Sequence, residues 1–188
     1  MNLPSIARVR RTFDQPEVAN VAEEVVRAVR SSGLARRAPT GGTIAITAGS
    51  RGIAGFPEIV RATVDAVRSL GFQPFVVAAM GSHGGGTAEG QRALLAELGV
   101  TEQSAGCPVR CETDTVVLGT NAFGLPIHFD RNAFNADGIV LLNRIKPHTS
   151  FSGRYESGLM KMLAIGLGKR EGAAQVHKLG LPGLVKML

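Results

Sequence analysis

Three short apolar runs, each leading into a loop of glycine and polar residues, constrain the fold most. TIAIT (residues 43–47) runs into AGSRG, PFVVAA (74–79) into MGSHGGG, and GIVLL (138–142) into NRIKPHTSFSG. Runs this continuous read as strands buried on both faces, which need helices above and below them. The stretches between them supply those helices. Residues 15–32 carry Val18, Val21, Val25, Val26 and Val29 at helical spacing, with Pro16 in the first turn. Residues 57–70 repeat Ile59, Val60, Val64, Val67 and Leu70 on one face, and Gly71 closes them. Residues 87–98 form the next helix, with Thr87 as N-cap and Gly99 as stop.

This order predicts an α/β fold: a mostly parallel sheet flanked by helices in three layers, with the ligand site at the carboxyl ends of the strands. Arg51, His83 and His148 then converge on one edge of the sheet. Residues 106–130 are less regular, with strand-like pieces at 115–118 and 126–129. The last forty or so residues read as helical, broken near 166–169 and at 181–183. At 188 residues the chain suits a single α/β domain over 1–188. Its apolar close, LPGLVKML, suggests the N-terminal piece of a longer protein.

Composition narrows the function classes. Hydrophobic content of 44% and charged content of 19% belong to a globular chain. No apolar run reaches the roughly 18 residues that span a bilayer, and MNLPSIARVRR lacks a signal-peptide core, so a cytoplasmic location and no membrane partner are expected. The net charge of +6 is scattered, and one tyrosine with no tryptophan offers little for stacking bases. No nucleic-acid partner is expected, and the positive field suits a small anion. Cys107 and Cys111 read as ordinary structural thiols.

Several residues could carry chemistry, each with a plainer alternative. His83 sits among glycines, where backbone can approach a ligand, or else merely faces solvent. His148 follows Pro147 at a loop tip and titrates near neutrality, as a proton-transfer group must, unless it is only an exposed loop histidine. Lys161 lies among Leu159, Met160, Met162, Leu163 and Ile165. It either snorkels or is buried with a depressed pKa, the state a covalently modified lysine needs. His177 reads as a helix-surface histidine on periodicity, and His128, alternating with apolar residues, as structural.

GSRG, GSHGG, NRIKPHTSFSG, SGLMK and a later histidine together resemble the N-terminal domain of nickel-dependent lactate racemases, over roughly residues 40–180. The resemblance implies a nickel pincer nucleotide, of the pyridinium-3,5-bisthiocarboxylic acid mononucleotide type, made by dedicated cofactor-synthesis enzymes. It implies a small-molecule 2-hydroxy acid as substrate, racemised or epimerised with transient hydride transfer. His83 and His148 correspond to the acid/base pair and Lys161 to the tethering lysine. His177, sixteen residues after Lys161, corresponds to the nickel ligand, and Arg51 to the substrate-facing arginine. Ser157 and Gly158 belong to the serine-glycine-x-x-lysine motif, where a cofactor phosphate is expected. The resemblance also implies a C-terminal domain that closes the cleft in such enzymes, and residues 1–188 are expected not to include it.

The chain departs from the family pattern in four places. Ser82 replaces a threonine, Ala48 an aspartate and Met160 an arginine, and the nine-residue interval from His148 to Ser157 is longer. These changes imply a divergent paralogue with its own substrate. Two alternatives from other classes stay open: a non-catalytic domain for an anionic ligand, and a metal-dependent hydrolase or lyase using His83 and His148.

Overall fold

The structure, a computed structural model, describes residues 7–14, 16–148, 152–153, 155–178 and 180. Helices α1 (Val21–Ser31) and α2 (Leu34–Arg37) precede β1 (Thr43–Ala48), α3 (Phe56–Ser69) and β2 (Gln73–Ala78). After a 3₁₀ turn at Gly84–Gly86 come α4 (Ala88–Glu97), α5 (Glu102–Ala105) and β3 (Val109–Arg110). A hairpin of β4 (Thr115–Thr120) and β5 (Pro126–Asp130) leads through α6 (Arg131–Phe134) to β6 (Gly138–Val140). The chain continues into α7 (Leu159–Lys161), a π-helical turn at Met162–Gly166, and α8 (Lys169–Lys178).

The main sheet has the order β3-β2-β1-β6, and every pairing in it is parallel. Side-chain alternation along the strands divides the core in two. Ile44, Ile46, Ala48, Val76 and Ala78 face Val29 of α1, Val60, Val64 and Val67 of α3, and Leu95 of α4. Ala45, Phe75, Val77 and Ala79 face the opposite way, onto Ala133, Met162, Leu167 and Phe129. The expected three layers are present, and the second covering layer is a mixture of the β4–β5 hairpin, α6 and the chain around Met162.

Caps account for the helix limits. Thr87 accepts a hydrogen bond from Gly90 N, and Gly99, at φ 78°, ends α4 as read from the sequence. The first helix starts later than the sequence period suggested. Asn20 takes the cap and accepts from Glu23 N at 3.1 Å, while Val18 before it stays 55% exposed. The proposed start at Gln15 lies outside the described residues. Strand β6 is also shorter than the apolar run 138–142, because at Leu142 the partner is no longer backbone. Leu142 N donates to Thr47 Oγ1 at 2.9 Å, which releases the chain from the ladder toward His148. The break expected at 181–183 lies outside the described residues.

Cys107 and Cys111 are free thiols buried in the helix-facing core on either side of β3, and burial raises both above the usual thiol range. His128 packs in the hairpin with Nδ1 3.1 Å from Thr115 Oγ1. Among the described residues no helix is long and apolar enough to cross a membrane.

Candidate active site

The chain leaves β1 and turns to β2 on one side, then later returns to β6 on the other. Such a switch in strand order opens a crevice at the carboxyl ends of the strands. Ser50 and Arg51 follow β1, Met80 to His83 follow β2, and the loop to His148 follows β6. A cavity of about 360 Å³ there is lined by Met80, Ser82, His83, His148, Lys161 and His177, with Ile165, Ala173 and Gly180.

Each of these side chains has a local reason for its place. In the β2 loop, Gly81 adopts φ +58° and its N–H donates to Gly166 O at 3.1 Å. A Cβ on Gly81 would stand 3.1 Å from Ile165 O, and one on Gly166 would stand 2.7 Å from Ala79 O. Two glycines therefore let the His83 loop and the Lys161 segment meet backbone to backbone. The carbonyls of Gly81 and His83 are held from below by Gln91, which is fully buried in α4 and donates to them at 2.9 and 3.3 Å. The ring of His83 is hydrogen-bonded through Nδ1 to Ser50 Oγ. This leaves Nε2 as the nitrogen free to exchange a proton.

Lys161 ends the single turn of α7. The next five residues are π-helical, closed by Leu167 N donating to Met162 O at 2.9 Å. Such turns widen a helix locally and recur at functional sites. Lys161 is half-buried, so the choice between snorkelling and a depressed pKa falls toward the latter. Burial holds its ammonium below the usual lysine range, with Lys146 and Arg51 adding like-charge repulsion. His83 is pushed down by burial and by Arg51 and Lys161. His148 is pushed down by burial, Lys161 and Lys146, against an opposing pull from Glu156. Both imidazoles therefore favour the neutral, proton-accepting form. His177 lies one turn beyond Ala173 on α8, so the two share the face that lines the cavity.

Arg51 is exposed and does not line the cavity, but its charge reaches both His83 and Lys161. Ser157 and Gly158 do not line the cavity. Gly158 is buried at φ 74°, and its carbonyl accepts from Met162 N at 3.0 Å, which starts the Lys161 turn.

Reading the sequence missed two residues here. Gln91 was visible as a polar residue four before Leu95 on the buried face of α4. Lys169 was less visible. It begins α8 at φ 54°, a left-handed conformation rare for a side-chain-bearing residue, and is fully buried. Its ammonium donates to Ala78 O at 2.6 Å, at the end of β2, and lies 2.9 Å from Asp130 Oδ2. That carboxylate oxygen has no aligned hydrogen bond, so the attraction is mainly between charges. Asp130 also caps α6 through Ala133 N at 2.7 Å, and its own N–H meets Leu167 O at 2.6 Å. The pair thus joins β2, the hairpin and the start of the helix that carries His177.

The model of the lactate racemase N-terminal domain family matches residues 6–183. The chain belongs to that family. No curated protein and no solved structure matches it. For a lactate racemase N-terminal domain, the meeting of His83, His148, Lys161 and His177 in one crevice follows from the parallel order of β2, β1 and β6 and from the packing of α8 against β5.

Proposed function

We propose that this domain carries the cofactor of a 2-hydroxy acid racemase or epimerase. The observation that supports the reading is that two pKa-depressed histidines, a pKa-depressed lysine and a further imidazole line one cavity. Among the described residues no group of three or more histidine, cysteine, aspartate or glutamate side chains is placed to hold a metal ion. A nickel pincer nucleotide fits this donor set, because its own sulfur arms hold the metal. It asks of the protein an anchoring amine and one imidazole. When bound, it supplies reversible hydride acceptance.

The chain's own residues do the rest. Lys161, shifted toward its free amine, anchors the cofactor covalently, and His177 offers the imidazole to nickel. His83 and His148 arrive from β2 and β6, on the two sides of β1. Each, neutral, would take the hydroxyl proton of one enantiomer and, once protonated, return a proton to the oxygen as the other enantiomer forms. The carbon is inverted only because its C–H hydrogen leaves as hydride and comes back on the opposite face. Arg51 meets the substrate carboxylate. Ser157 and Gly158 receive the cofactor phosphate. A second domain closes over the crevice.

Co-expression with cofactor-making enzymes, followed by intact mass and metal analysis, tests the proposal. Wild type should gain a nucleotide-sized mass and nickel. Lys161→Ala should lose both, and His177→Ala should keep the mass while losing most of the nickel. Wild type that racemises a 2-hydroxy acid with neither adduct nor nickel refutes it.

A further inference from the structure

Within the interval between His148 and Ser157, Glu156 reaches back to the backbone of two described residues. Glu156 Oε2 accepts a hydrogen bond from the backbone N–H of His148 at 3.0 Å, and Oε1 accepts from the backbone N–H of Gly153 at 3.1 Å. One carboxylate thus gathers the start and the far part of the loop beside Ser157 and Gly158, from which the Lys161 turn begins. We propose that Glu156 is a positioning residue, whose ionised carboxylate ties the His148 backbone to the root of the Lys161 helix and so holds the imidazole at the cavity.

The tie depends on charge. An ionised carboxylate accepts on both oxygens at once, whereas a protonated one, or a glutamine, gives up part of that capacity. Among the described residues, the groups facing Glu156 are the two amides, the Ser152 hydroxyl and the His148 ring, and all of them favour its ionised form. Lys146 and Lys161 act on His148 in the opposite sense to Glu156. The backbone bonds, above all that from His148, hold Glu156 below the usual glutamate range. A carboxylate lowered in this way keeps its contacts at neutral pH and loses them as pH falls through the lowered value. The backbone at His148 and at Gly153 is therefore held by a residue of the same interval.

The inference rests on His148 being an acid/base group, but the tie can be measured on the chain without cofactor. NMR pH titrations of wild type, Glu156→Gln and Glu156→Asp provide the test. In wild type the His148 and Gly153 amide resonances should titrate together, with one midpoint below the ordinary glutamate value. In Glu156→Gln that transition should vanish, and the His148 ring should titrate at lower pH, having lost the charge that raises it. Glu156→Asp should move the ring back toward wild type. In loaded enzyme Glu156→Gln should lower kcat by up to about 10²-fold, the scale of a misplaced catalytic group, with KM little changed. Amides that titrate separately, or that titrate unchanged in Glu156→Gln, overturn the proposal, as does a His148 ring that does not move. Joint titration in a chain that never loads cofactor supports the tie and removes the racemase reading instead.

Discussion

Replacing Lys169 by methionine deletes the ammonium that lies between the Asp130 carboxylate and the Ala78 carbonyl. Both side chains of the pair are 0% exposed, so no water reaches the carboxylate left behind. Removing one member of a buried ion pair costs about 3–5 kcal/mol, most of it from the uncompensated charge. At about 2–4 °C per kcal/mol for a chain of this size, Tm should fall by roughly 6–20 °C. Adding Asp130→Asn removes the stranded charge while an amide oxygen still accepts from Ala133 N. The double variant should then recover roughly half of the loss. The remaining deficit, about 1–3 kcal/mol, is the Ala78 carbonyl without its donor. Urea denaturation of the wild type, both single variants and the double variant gives the four stabilities. A Lys169→Met variant within about 1 kcal/mol of wild type, or a double variant no better than the single, would falsify the account.

Three further predictions follow from the site. Arg51→Ala should raise the pKa of both His83 and Lys161, because it removes a like charge from each, and ring and side-chain NMR titrations read both shifts. Since His83 titrates below 6.5 in the folded chain, its unfolded counterpart takes the proton first on acidification. Stability measured against pH should accordingly drop as pH falls below 6.5, and less steeply in Arg51→Ala. Gly81→Ala places a Cβ at φ +58° and 3.1 Å from Ile165 O. It should cost at least about 1–2 kcal/mol by thermal denaturation, the penalty of the left-handed conformation alone.

Local patterns told most of the architecture. The apolar runs at β1 and β2, the helical periods of α3 and α4, and the Thr87 cap with its Gly99 stop all follow from neighbours within a few residues. Such signals survive without knowledge of the rest of the chain. The placement of Arg51, His83 and His148 after strand ends was also legible, because parallel strands deliver their loops to the same edge. His177 was the weaker case. Nothing in its helix period marks it, and only the packing of α8 against β5 brings it to the cavity.

What the tertiary structure alone decided concerns charges and polar groups whose partners are distant in sequence. Asp130 and Lys169 meet across the hairpin and α8, and Lys169 reaches back to the end of β2. Thr47 ends the β6 ladder from ninety-five residues away. Glu156 closes on a backbone N–H eight residues earlier, and Gln91 supports carbonyls in a separate loop. A hydrophobic residue declares its fate by its own chemistry, since burial favours it almost anywhere in a core. A charged or polar residue is stable inside only beside a particular partner, so its position is settled when the chain has folded and that partner has arrived.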